Sequence, residues 1–457
     1  MVTLNTLQDQ SLADELRAAV RGGAAMPSDP AYSDACRLWN KAVQRRPAVI
    51  AFCQDPDDVA AAVRIARRRG LPLSVRSGGH DWAGRALVDG GLVIDLTRMR
   101  GVAVDPEARV ATVAGGATTK DVVAAAAAHG LVPVVGNSGA VGLAGFTLGG
   151  GYGPLNGAHG LAADNLVGAE VVLADGRRVT TSFEEEPELF WALRGGGGNF
   201  GIVTSLRVRL HEGRELLAGT VVFPWNGAEA VLRRYARFAQ TMPDELGVSI
   251  LMTSGPDGRP ALMLIPLWTG DRQRGERVMN DLKSLGAPQV AQVGPTTYSN
   301  MLAPTDAWLA ASDGWHWELR TRSLAELGPG AITAITDAVA RKLSPFASVA
   351  FHHFHGAATR VPSNATAFGL RREHVMVEII AAWEPGGDGA AHRRWARELW
   401  QDLGPSALPG GYANLLGPGD REQARDAYGG NDARLLAAKR RFDPDGVFAS
   451  AIVLPNV

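Results

Sequence analysis

Glu378 stands inside an apolar run, Val375-Met376-Val377-Glu378-Ile379-Ile380. Burying a carboxylate among hydrocarbon side chains is costly unless it is paired or put to use, so Glu378 is a candidate general base. A second candidate lies in Val349-Ala350-Phe351-His352-His353-Phe354-His355-Gly356. Side chains alternate across a strand, so His353 and His355 share one face and His352 takes the other. Imidazole titrates near neutrality, which suits His353 to proton transfer and His355 to a substrate pocket. Simple packing is the alternative. No carboxylate accompanies the three histidines, so no metal site is expected. A third pair, Tyr412 and Asn414, would share one face of a strand, with Tyr412 lining a pocket or only packing.

Glycine is concentrated in three places. Arg76-Ser77-Gly78-Gly79-His80 follows an apolar strand at 71–75. Successive glycines let backbone N–H groups converge on phosphate oxygens, though an ordinary surface turn would look the same. The second cluster runs Gly136-Asn137-Ser138-Gly139-Ala140-Val141-Gly142-Leu143-Ala144-Gly145, then Gly149-Gly150-Gly151-Tyr152-Gly153. Its Val141, Leu143, Phe146 and Leu148 are apolar anchors that a flexible linker would lack. Close approach of a large, flat or polyanionic ligand explains the glycines. Tyr152 would border that ligand or serve structure. The third cluster is Gly195-Gly196-Gly197-Gly198 before Asn199-Phe200-Gly201-Ile202-Val203. None of the three is the G-x-G-x-x-G that opens a helix after a first strand, and no P-loop is present.

The elements that must position these groups alternate from residue 48 onward. A strand at 48–52 leads to a helix at 55–69, with Asp55 at its start and Gly70 after its end. Strands follow at 71–75 and 92–96, and 101–105 pairs with 109–114. A helix at 118–129 closes on Gly130. Asp175-Gly176 joins strands 167–174 and 177–181 as a hairpin, and 202–210 completes this half. The texture then changes, with eight of the eleven tryptophans after residue 211. Strands 247–254 and 261–268, joined through Pro256-Asp257-Gly258, alternate with helices near 227–241 and 270–285. The pattern predicts an α+β fold with mixed sheets. Its parts are a surface-packed leader (1–47), a ligand-binding domain (48–211), a substrate domain (212–409) and a returning tail (410–457).

Composition narrows the function. Of 457 residues, 46 are Lys or Arg and 47 Asp or Glu, a formal net charge of -1. This leaves no basic excess for nucleic acid or an anionic membrane. A small-molecule substrate and a monomer or homodimer are expected. The only cysteines, Cys36 and Cys53, form no C-x-x-C pair and read as free thiols, with a single disulfide between them as the alternative. No secretory signal and no run of about 18 apolar residues is visible, so a cytoplasmic location is expected.

Taken together, the clusters resemble the FAD-binding half of the berberine-bridge-enzyme-like oxidases, within the vanillyl-alcohol-oxidase/PCMH flavoprotein superfamily. Further matches are Gly160-Leu161-Ala162-Ala163-Asp164-Asn165, Pro187-Glu188-Leu189-Phe190-Trp191, Tyr412-Ala413-Asn414 and Phe442-Asp443-Pro444. The resemblance covers about 48–211 and 410–457 and keeps the motifs in order. It implies a PCMH-type domain of two α/β subdomains, plus a substrate domain built on a mixed or antiparallel sheet. It implies FAD attached covalently through His80. Arg76, Ser77, Gly78, Gly79, Asp81, Gly136, Ser138 and Val141 would surround the cofactor, with Gly142, Gly145, Gly150, Gly153, Ile202 and Asn414. Bicovalent members carry a cysteine where Ser138 stands, so one link is expected here. Val141 matches a small residue of oxygen-reactive members. The implied reaction is hydride transfer from an alcohol, amine or activated C–H to flavin, with dioxygen reduced to hydrogen peroxide. A dehydrogenase with another acceptor and a non-redox FAD-binding protein are the alternatives.

Overall fold

The computed structural model describes residues 2–213, 216–255, 257–449 and 454. Pro256 of the anticipated turn and residues 450–453 and 455–457 of the tail lie outside the described residues. Three sheets organise the chain. The first has the order Ala24–Ala25, Val49–Phe52, Leu92–Asp95, Leu73–Arg76. Its last three strands are parallel. Parallel strands need a crossover, and the helix Pro56–Arg68 supplies one. Asp55 caps that helix by accepting from the amides of Asp57 and Asp58.

The second sheet is antiparallel and centres on Ile202–Glu212, flanked by Val110–Ala114 and Leu166–Val172. The third is a seven-stranded antiparallel sheet. Its order is Val290–Thr296, Leu216–Pro224, Pro260–Trp268, Leu246–Ser254, Ser348–Phe354, His374–Trp383, His316–Leu324. The fold is thus mixed helix and sheet, and among the described residues parallel pairing is confined to the first sheet.

Alternation along the strand His374–Trp383 decides what the third sheet offers. Val375, Val377, Ile379 and Ala381 are buried in a core shared with residues of the helices Ala228–Ala239, Pro329–Ala340 and Gly389–Asp402. Met376, Glu378 and Ile380 therefore face the other way, toward the first two sheets.

The leader is more than surface cover. Leu12, Ala13, Leu16 and Val20 are buried in the core of the first sheet, and Ala24–Ala25 extends that sheet by pairing with Val49–Phe52. Asn40, 2% exposed, donates to the carbonyls of Trp82 (2.7 Å) and Trp317 (3.0 Å). Its side-chain oxygen accepts from the amides of Trp317 and Ala42, both at 3.0 Å. One side chain thereby joins the leader, the glycine-loop half and the seven-stranded sheet. Asn40→Ala orphans buried backbone groups on two of them. It should lower unfolding free energy by about 2–3 kcal/mol in denaturant titration.

Candidate active site

The faces of these sheets enclose a cavity of about 450 Å³. One wall is made by the loops after Leu73–Arg76 and around residues 136–146. These loops touch backbone to backbone: a Cβ on Gly78 would lie 2.3 Å from the Gly142 nitrogen, and one on Gly142 would lie 2.4 Å from the Gly78 nitrogen. Only glycine at both positions allows this approach. Ser77, Gly78, Gly79, His80, Asp81 and Gly136 line the cavity, as do Ser138, Val141, Gly142, Gly145, Ile202 and Asn414. At Gly145 and Gly198 no atom lies within 4 Å of the missing Cβ, and both face the cavity. A long wall of bare backbone suits a flat dinucleotide, and the residues present fit FAD.

Three expected cofactor contacts are placed elsewhere. Arg76 does not line the cavity. Its guanidinium holds the leader by donating to the carbonyls of Ala35 and Arg37, beside Asp95 at 3.7 Å. Gly150 and Gly153 are glycines because protein packs on them: a Cβ would meet the Phe368 ring at 2.7 Å and the Val135 carbonyl oxygen at 2.0 Å.

His80 lies where the glycine loop ends. Trp39 stacks on its ring (centroids 5.1 Å apart, planes 19°) and donates its Nε1 hydrogen to the His80 carbonyl at 2.8 Å. Loss of hydration lowers the imidazole to about 4, so the ring is neutral at pH 7. Trp39, Trp317 and Trp308 continue as one aromatic wall, with centroids 5.4 and 5.2 Å apart. Trp39 comes from the leader, which carries no periodic signal for it.

Glu378 faces the cavity on the third sheet. His352 lies diagonally across the strand pair, since Ala350 is opposite Glu378 and His352 is opposite Met376. Its Nε2 is 3.4 Å from Glu378 Oε2. His353, the expected base, points to the opposite face, because it has the parity of the core residues Val349 and Phe351. It borders a separate cavity with Glu373, whose Oε1 is 3.4 Å away. His355 does not line the active-site cavity either. It follows the strand's end and packs against Gly157, where a Cβ would meet its Nε2 at 2.5 Å. The alternation held, but Phe351 and Phe354 have opposite parity, so the sequence did not reveal which face was the core.

Tyr412 and Asn414 do line the cavity, though on a 3₁₀ turn (Ala413–Leu415) instead of a strand. The Tyr412 hydroxyl accepts from the amides of Gly151 (3.1 Å) and Tyr152 (3.2 Å) and from Asn414 Nδ2 (2.8 Å). Burial nevertheless pushes the phenol up to about 12. Tyr152, which also lines the cavity, stacks on Tyr412 with centroids 4.3 Å apart. Its hydroxyl is 2.9 Å from His374 Nε2. His374 Nδ1 is 2.8 Å from the Arg372 carbonyl oxygen. A carbonyl can only accept, so Nδ1 carries the proton and Nε2 accepts from Tyr152.

Comparison with known proteins agrees with this geometry. Residues 47–182 match the family described as FAD binding domain. The chain is 31% identical to (R)-6-hydroxynicotine oxidase of Paenarthrobacter nicotinovorans, over 94% of this chain and 96% of the relative. The crystal structure of 6-hydroxy-D-nicotine oxidase from Arthrobacter nicotinovorans superposes with a TM-score of 0.87 at 30% identity, covering 96% and 98% of the two chains. Glucooligosaccharide oxidase from Acremonium strictum, a structure described with a 6-S-cysteinyl, 8α-N1-histidyl FAD, gives 0.86 at 25% identity, covering 98% and 99%. The fold and site define an FAD-linked oxidoreductase. The chain belongs to the family of FAD-linked oxidoreductases that includes (R)-6-hydroxynicotine oxidase. Among the described residues, no helix is long and apolar enough to cross a membrane.

Two measurements test this site. A Cβ on Gly145 would meet no atom within 4 Å, so Gly145→Phe projects its ring from an open position facing the cavity. It should leave thermal stability unchanged and weaken FAD binding by at least about tenfold, or 1.4 kcal/mol. Burial lowers His353 to about 3 and His374 to about 4, from an ordinary 6.5. The unfolded chain binds these protons first. Stability should therefore be full above pH 6.5, fall as pH drops toward 4, and fall less steeply in His374→Gln.

Proposed function

We propose that this protein is an FAD-dependent oxidase that holds its cofactor by a single covalent bond to His80. It would oxidise an alcohol, amine or activated C–H of a small secondary metabolite and reduce dioxygen to hydrogen peroxide. The observation that carries this reading is one cavity holding the backbone-bare wall that ends at His80, the Glu378–His352 pair and the aromatic wall.

His80, Gly78, Gly142 and Gly145 would hold FAD, which when bound supplies the hydride-accepting chemistry. A neutral imidazole is the form able to make a covalent bond, and burial keeps His80 neutral. One link, not two, is favoured because Ser138 stands in the second loop, and neither free cysteine, Cys36 or Cys53, lines the cavity. Val141, small and lining the cavity, supports access of dioxygen.

The remaining steps belong to the protein's own side chains. The three tryptophans orient an aromatic or apolar substrate and exclude water. Glu378 takes the O–H or N–H proton of the substrate, and His352 is placed to receive it from the carboxyl oxygen. The Tyr412 oxygen is held by the Gly151 and Tyr152 amides and by Asn414 Nδ2, which fixes its ring at the cavity wall. Arg85 lines the cavity but is already committed to Asp81 (2.5 Å) and the Leu416 carbonyl, so it does not attract an anionic substrate.

Acid denaturation should leave yellow colour on the polypeptide, and His80→Ala should release it; colour retained by the variant would place the bond elsewhere. After anaerobic photoreduction, admission of air should restore the oxidised spectrum within seconds and yield hydrogen peroxide. Slow reoxidation would instead indicate a dehydrogenase. With a substrate found by screening aromatic amines and alcohols for flavin bleaching, Glu378→Gln should slow bleaching by about 10²-fold or more.

A further inference from the structure

The helix Tyr298–Ala311 belongs to the half of the chain that carries the seven-stranded sheet, yet it is fastened to the glycine loop at two points. At its first turn the Tyr298 hydroxyl donates to the carbonyls of Val135 (3.0 Å) and Gly136 (3.4 Å). Two turns later Asp306 Oδ1 accepts from the Ser138 hydroxyl at 2.9 Å and from the Gly139 amide at 2.8 Å. Ser138 Oγ in turn accepts from the Ala140 amide at 3.3 Å, which closes the loop's bend. The fit is tight: a Cβ on Gly139 would lie 2.6 Å from Asp306 Oδ2. Asp306 itself does not line the cavity, but Thr305, Trp308 and Leu309 of the same helix do.

We propose that Asp306 is a positioning residue: by accepting from Ser138 and Gly139 it fixes the cofactor-facing loop 136–142 to the helix that carries the aromatic wall. Cofactor loop and substrate wall are then set by one rigid element, and their separation does not vary. This inference rests on the reading that FAD occupies the cavity. Asp306 acts through Ser138, Val141 and Gly142, which line the cavity. What the geometry requires is an acceptor oxygen, and the amide of asparagine supplies one at the same place.

The test combines amide hydrogen exchange across 136–142 with the fraction of flavin retained after acid denaturation, both on the full-length holoprotein. Asp306→Ala should raise exchange in 136–142 by about tenfold. It should leave exchange in Leu166–Val172 unchanged and reduce the retained flavin. Asp306→Asn should restore both readings. Unchanged exchange in Asp306→Ala, or Asp306→Asn behaving like the alanine variant, would overturn the proposal. Should Asp306→Ala fail to fold, Ser138→Ala removes one donor and must raise exchange in the same segment alone. If the wild-type protein binds no flavin, the functional reading fails, while the exchange comparison still decides the role of Asp306.

Discussion

The crossing of Gly78 and Gly142 is the constraint on which the site depends. Two loops from different sheets meet with no side chain between them, and the surrounding backbone pins the second in place. The Leu143 amide donates to the Ala117 carbonyl, and the Thr119 amide donates to the Val141 carbonyl. His80 lies two residues beyond one side of the crossing, and Ser138 and Val141 lie just before the other. A Cβ at either glycine would force these groups apart, and the cavity would lose its continuous wall. Each glycine loses more conformational freedom on folding than another residue would, and the packing of both loops onto buried cores offsets that cost.

Much of this was legible in the sequence, for identifiable reasons. The strand–helix alternation, the Asp175-Gly176 hairpin and the Asp55 cap are local signals, and local hydrogen bonding produced them. The glycine clusters marked close approach of protein to protein at Gly78, Gly142, Gly150 and Gly153 and open cavity space at Gly145, and composition does not separate the two causes. Among the histidines, His352 lines the cavity and His353 and His355 do not. Parity along a strand is readable, but which face is the core depends on helices far away in the chain. Trp39, His352 and Asp306 were invisible as site residues for the same reason, since long-range packing places each of them.

The two halves of the cavity are built on different physical terms. The glycine wall is backbone, with its direction fixed by turns and its chemistry limited to N–H groups. The opposite wall is a pleated sheet that projects one side chain in two, so its chemistry is set by which residue occupies each position. Glu378, His352, Met376 and Ile380 stand on that pleat. Substitutions there alter the pocket without disturbing the core, which uses the other parity. The arrangement separates a binding surface made of backbone from one made of side chains, whose substitution can change substrate preference.

The adjacency of His352 and His353 has a consequence of its own. Two neighbouring imidazoles open into different chambers, so the strand between them acts as a partition with a door on each side. Its frame of reading cannot drift. A single residue deleted upstream would bring His353 beside Glu378 and carry His352 into the place of the buried Phe351, and one inserted would seat the Phe351 benzyl group beside Glu378. The segment is thus locked by the incompatibility of its two rooms as much as by any bond it makes.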